Sequence, residues 1–99
     1  MYEMKPLNGT VYCKDGFHIS VQASKYHYCE PRLDHPKDGY THVECGFPSA
    51  DPGDELRAYQ EMPGDNDPTG DVYPYVPVDI VKRLIDSHGG IKEGHMPLA

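Results

Sequence analysis

At 99 residues the chain has room for one domain with a modest core, and with only 18 Leu, Ile, Val and Phe against a net charge of −7 it borders on compositions that stay disordered. Eight tyrosines and a patterned apolar distribution favour a folded single domain over residues 1–99, ordered from about residue 8 to 90. The composition argues against a membrane span, since no run nears the ~20 apolar residues a bilayer needs, and against direct nucleic-acid binding, which needs clustered Lys and Arg.

Thr10 to Gln22 reads as a β-hairpin turning at Asp15-Gly16, where glycine can take the positive φ of a two-residue type I′ turn. That register sets Cys13 opposite His18 and Tyr12 opposite Ile19. It puts Tyr12, Phe17, Ile19 and Val21 on the core face. Lys25 to Cys29 fits a short third strand, and the turn-rich residues 30–39 a surface loop. Tyr40 to Phe47 is the next strand. Leu56 to Met62 suits strand or two turns of helix, and the alternation of Leu56, Ala58, Gln60 and Met62 favours strand.

Val72 to Val76 is a strand containing Pro74, which cannot donate to a ladder; an edge position or a bulge follows. Residues 77–88 form the clearest helix. Pro77 suits its first position, Val78, Val81, Leu84 and Ile85 make an apolar stripe, and Asp79 with Arg83 stands at the spacing of a helical ion pair. Gly89-Gly90 ends it. The tail 91–99 is expected to be loose. The fold class is α+β: a small antiparallel sheet of four to five strands with one C-terminal helix packed on one face.

Three cysteines, Cys13, Cys29 and Cys45, are an odd set that cannot complete a disulfide framework within one chain, so reduced thiols and a cytoplasmic location are expected. Cys13 opposite His18 would put Cβ atoms roughly 5 Å apart. With His27, Cys29 and His42 on neighbouring strands, this set offers zinc ligands of the right chemistry, though no Cys-x-x-Cys spacing accompanies them. A metal- or small-ligand-binding domain on this cluster is the alternative function; the leading expectation is no cofactor. Asp65 to Asp71 begins like an EF-hand loop but has Val76 where a bidentate Glu is needed. A Cys13–His18 nucleophile pair lacks an oxyanion site, and the expectation is a protein that is not an enzyme.

Surface recognition remains. Residues 51–71 hold seven acids against Arg57 alone, and so carry six of the seven net charges. Such a segment steers association towards a basic surface. Asp51, Asp54, Glu55, Glu61, Asp65, Asp67 and Asp71 are the expected partner-binding carboxylates, with Tyr59 and Tyr73 as contact anchors.

Three stretches together, Ser20 to Arg32, Thr41 to Ser49 and Tyr75 to Gly90, resemble small, mostly uncharacterised proteins encoded by tailed phages and prophages. The resemblance implies a phage context within a bacterial cytoplasm. There, a small acidic protein is similar to anti-CRISPR proteins and other host-defence inhibitors. Its partner would be a host protein with a basic surface, such as a nucleic-acid-binding effector, whose phosphate sites the carboxylates would fill; a homodimer is compatible.

Overall fold

The computed structural model describes residues 7–62 and 67–97. Five strands, β1 (Val11–Cys13), β2 (His18–Gln22), β3 (His42–Gly46), β4 (Val72–Pro77) and β5 (Ile91–Glu93), form one sheet in the order β4-β3-β2-β1-β5 with every neighbour antiparallel. Helix α1 (Asp54–Arg57) and a 3-10 turn (Pro68–Gly70) lie between β3 and β4. Helix α2 (Val78–Ser87) follows β4 directly and carries the chain from one sheet edge to the other, where β5 begins. This is the α+β arrangement expected.

The hairpin register differs from the expected one by a residue. Cys13 N–H donates to Phe17 O at 2.7 Å and Gly16 N–H to Cys13 O at 3.1 Å, so the loop is Lys14-Asp15-Gly16 with Gly16 at φ 98°. Three-residue loops of this kind place their glycine in the left-handed region, and Asp15 Oδ1 secures the turn by accepting Phe17 N–H at 2.9 Å. Val11 then faces Ile19, and Tyr12 faces His18. A one-residue slip turns every side chain of a strand to the other face. Val11 and Cys13 therefore enter the core, and Tyr12 stays in solvent. Burying Val11 in place of Tyr12 leaves no phenol hydroxyl seeking a partner in the interior.

Val11, Cys13, Ile19, Val21, Val43, Cys45, Tyr73 and Val76 build the core from the sheet, while Val81 and Ile85 meet them from α2. Val78, Ile80 and Leu84 are packed at its margin. The second sheet face is polar and also covered. Gln22 and Glu44 are fully buried there, Gln22 accepting Asn8 N–H at 2.8 Å and Glu44 Oε1 accepting Tyr28 N–H at 2.8 Å.

Residues 25–29 are not a strand. Ser24 Oγ accepts Tyr26 N–H at 3.0 Å and Ser24 O accepts His27 N–H at 3.3 Å, a hydroxyl-capped turn that competes with ladder pairing. Only the Glu30–His42 bridge extends the sheet in this region. Residues 54–57 are helical against the strand expected from 56 onward. Asp54 and Glu55 suit the positive end of the helix, and Leu56 turns into the core. The tail is more ordered than expected: Ile91–Glu93 pairs with β1, guided there by Lys14 N–H donating to Gly90 O at 3.0 Å.

Pro74 does sit in an edge strand, and the strand does bulge. The register between β3 and β4 shifts between Val43 and Cys45, and Tyr75 on the bulged side has φ 53°. Helix α2 starts at Val78, with Pro77 just outside it. Arg83 meets Glu55 Oε2 at 2.7 Å, so its main partner is on α1 and not at the helical spacing.

The end of α2 rests on the hairpin turn. His88 Nδ1 lies 2.6 Å from Asp15 Oδ2, and the His88 ring stacks on Phe17 at 4.1 Å. The Phe17 amide, and then His88, hold the Asp15 carboxyl below its ordinary range. A lowered folded-state pKa contributes stability above the unfolded value, near 4, that is lost as pH falls below it. Urea midpoints measured from pH 7 down to pH 2.5 should therefore drop on the acid side, and the drop should be shallower in Asp15→Asn. An identical acid slope in that variant would remove Asp15 from the account.

Candidate functional site

The expected acidic surface is only partly available. Asp51 Oδ2 is 3.1 Å from Arg57, and Glu55 takes both Nε (3.3 Å) and Nη2 (2.7 Å) of Arg83. Arg83 holds the Glu55 carboxyl below its usual range. Asp67 Oδ1 accepts Thr69 N–H and Oγ1–H, which lowers its pKa and spends it on the 3-10 turn. Asp54 and Glu61 are exposed. Asp65 lies outside the described residues.

Two expected contact residues are interior. Asp71 is 8% exposed; its Oδ1 accepts Val72 N–H at 2.8 Å, and Oδ2 accepts Met62 N–H at 3.0 Å and Gln60 Nε2–H at 3.3 Å. It is a loop clasp, not a partner contact. Tyr73 is 0% exposed, and its hydroxyl donates to Pro68 O. Burial, followed by the Asp71 charge, pushes its pKa up to about 12. It is a core residue because the β4 bulge begins beyond it, so its ring still follows the inward alternation that pairs it with Cys45. Tyr59 is half-buried against the core.

The Cys/His set is not assembled as expected. The register slip sends Cys13 into the core, while His18 packs beside Tyr12 with ring centroids 5.2 Å apart. His27 is buried in the 24–29 turn with Nδ1 at 2.7 Å from Ser24 Oγ, and Cys29 donates weakly to Ser24 O at 3.1 Å. His42 Nδ1 meets Thr41 Oγ1 at 2.9 Å. Among the described residues no group of three or more His, Cys, Asp or Glu could hold a metal ion. All three thiols are free and buried, and burial raises the pKa of each, contrary to what a nucleophile requires.

The surface that does stand out is aromatic. Tyr75, 40% exposed, holds φ 53° at the β4 bulge, its N–H donating to Tyr28 O at 3.1 Å and its ring 5.8 Å from that of Tyr28. Arg32 lies over the Tyr28 ring at 5.2 Å, and Lys25 over Tyr26 at 5.2 Å. Phe47, 48% exposed at the end of β3, has φ 53° as well. Bulky side chains in the left-handed region cost of order 1 kcal/mol or more, and such residues cluster at working surfaces. Pro74 is the sequence signal that announces the bulge at Tyr75. The placement of Phe47 has no comparable signal.

No protein-family profile matches the chain, and comparison with curated proteins and with solved structures returns no match.

The two roles of Tyr73 separate in a stability measurement. Tyr73→Phe should cost about 1 kcal/mol, the worth of one hydrogen bond. Tyr73→Ala should cost roughly 3–5 kcal/mol, as for other large aromatic truncations. An exposed contact anchor would leave the urea midpoint unmoved in both.

Proposed function

We propose that this protein is a non-enzymatic binding module that engages another protein through side chains, with the Tyr75–Tyr28 aromatic pair at the centre and carboxylates around the domain to steer the approach. One observation supports this most: an exposed tyrosine is kept in an unfavourable backbone conformation on an edge strand, where glycine would fit more easily. Interfaces draw their strongest contacts from Tyr and Arg in clusters of this kind.

Strand addition is the less suitable mode. Pro74 and Pro77 lack donors on β4, and Tyr75 N–H is already committed to Tyr28 O. At the other edge β5 has three residues, and its pairing with β1 is interrupted by a register shift.

With a net charge of −7, the favoured partner presents a basic surface. In the phage setting that the sequence resembles, such a partner is a host-defence protein whose nucleic-acid site is blocked, as by anti-CRISPR inhibitors. The carboxylates suited to steering are Asp54 and Glu61, which are exposed, together with Asp51 at the rim.

Capture of partners from bacterial lysate by the full chain, with capture at 50 mM and 500 mM salt compared, tests the proposal. Tyr75→Gly should keep thermal stability within about 1 kcal/mol, because relief of the positive φ offsets lost ring contacts, while the captured partner falls at least about tenfold, equivalent to 1.4 kcal/mol. Asp54→Lys with Glu61→Lys should slow association and flatten its salt dependence. Undiminished capture by Tyr75→Gly would rule out the aromatic centre.

A further inference from the structure

Away from that aromatic pair, a cavity of about 300 Å3 lies between the loop carrying Asp34 and His35, Ala23 and Ser24 just after β2, and the segment after β5 at His95 and Met96. Its size is at the lower end for small-ligand sites. Asp34 is the one carboxylate among its described lining residues.

Both amide hydrogens of Asn8 are spent, on Val21 O at 3.0 Å and His95 O at 2.9 Å. The Tyr40 hydroxyl donates to Leu33 O at 2.7 Å. Acceptors remain. Asp34 Oδ1 takes Lys25 N–H at 3.1 Å, but among the described residues its Oδ2 has only the exposed Lys25 ammonium at 3.9 Å, the outer limit of an ion pair. The rings of His35 and His95 make no hydrogen bond among the described residues, and a neutral imidazole offers one acceptor nitrogen and one N–H. No Lys or Arg is among the described residues that line the cavity, while Ala23, Met96 and Pro97 give it an apolar wall.

We propose that this cavity binds a primary alkylammonium group, with Asp34 taking the charge, the imidazoles of His35 and His95 accepting further N–H bonds, and the apolar wall holding the methylene stem. An ammonium has three donors, which one Asp34 oxygen and the acceptor nitrogen of each neutral imidazole can take, and its bond to a carboxylate is charge-assisted. Tyr40 also lines the cavity, and an aromatic ring attracts a cation placed over it. Lys25 is a weak internal competitor, since an exposed pair at that distance contributes little. The site stands independently of the Tyr75 surface. Its ligand is either a free alkylamine or the lysine side chain of another protein.

Amide and side-chain NMR shifts of the full chain, followed during titration with 1,5-diaminopentane and separately with Nα-acetyl-lysine methylamide, distinguish these sources. Nα-acetyl-norleucine methylamide supplies a similar stem without the charge. Saturable shifts at Asn8, Ser24, His35, Tyr40 and His95 with the diamine alone would assign a free amine; with the lysine compound alone, a protein side chain. Asp34→Asn, which retains an oxygen for Lys25 N–H, should weaken binding at least about tenfold. Lys25→Ala should tighten it about two- to threefold by removing the competitor. Absence of saturable shifts with both amines, equal shifts with the norleucine compound, or undiminished binding by Asp34→Asn would overturn the proposal. A loss of affinity in Lys25→Ala would overturn it too, because Lys25 would then belong to the site.

Discussion

The hairpin turn at Lys14-Asp15-Gly16 sets the register of β1 against β2 and also receives the end of α2. Lys14 N–H reaches Gly90 O, Asp15 N–H reaches His88 O, and the His88 ring is clamped between the Asp15 carboxylate and the face of Phe17. The same short loop therefore decides which face of β1 enters the core, where the helix stops, and where β5 is delivered. A sheet of short strands with a ten-residue helix buries little area per element, so a junction shared by three elements matters more here than in a larger domain.

The two sheet faces are built on different principles. On the helix side, packing is apolar. On the other side, Gln22, Glu44 and His27 are buried and need named partners: Asn8, the Tyr28 amide and Ser24. Polar interiors are demanding because a group deprived of its partner is costly. That demand fixes the course of residues 24–30 over the sheet, which in turn sets Tyr28 beside Tyr75 and carries the chain on towards Asp34. Both the aromatic pair and the cavity thus descend from the polar face.

Elements with strong periodicity or punctuation were readable from sequence. The stripe Val78, Val81, Leu84 and Ile85 with Gly89-Gly90 beyond it marks α2, and Pro74 marks an edge strand with a bulge. What was not legible depended on competition between near-equal local choices. A turn through Asp15-Gly16 can close with two or three residues, and the deciding contacts, Asp15 with Phe17 N–H and with His88, include one that is remote in sequence. That single slip undid the Cys13–His18 pairing. Acid content could be counted, but not which carboxylates would be turned inward or spent. Asp71 clasps backbone amides, and Glu55 finds Arg83, 28 residues away. The cavity was invisible because Asn8, Asp34 and His95 meet only through tertiary folding.

The guarding of both sheet edges has a consequence for how such a surface can change over generations. A module that recognised its target by extending a ladder would be bound to main-chain geometry, which substitutions barely alter. The surface proposed above consists of rings and charges mounted on loops and on one bulge, positions where single codon changes alter side chains while the scaffold beneath stays constant. Such a fold separates the groups open to substitution from those that hold the sheet together.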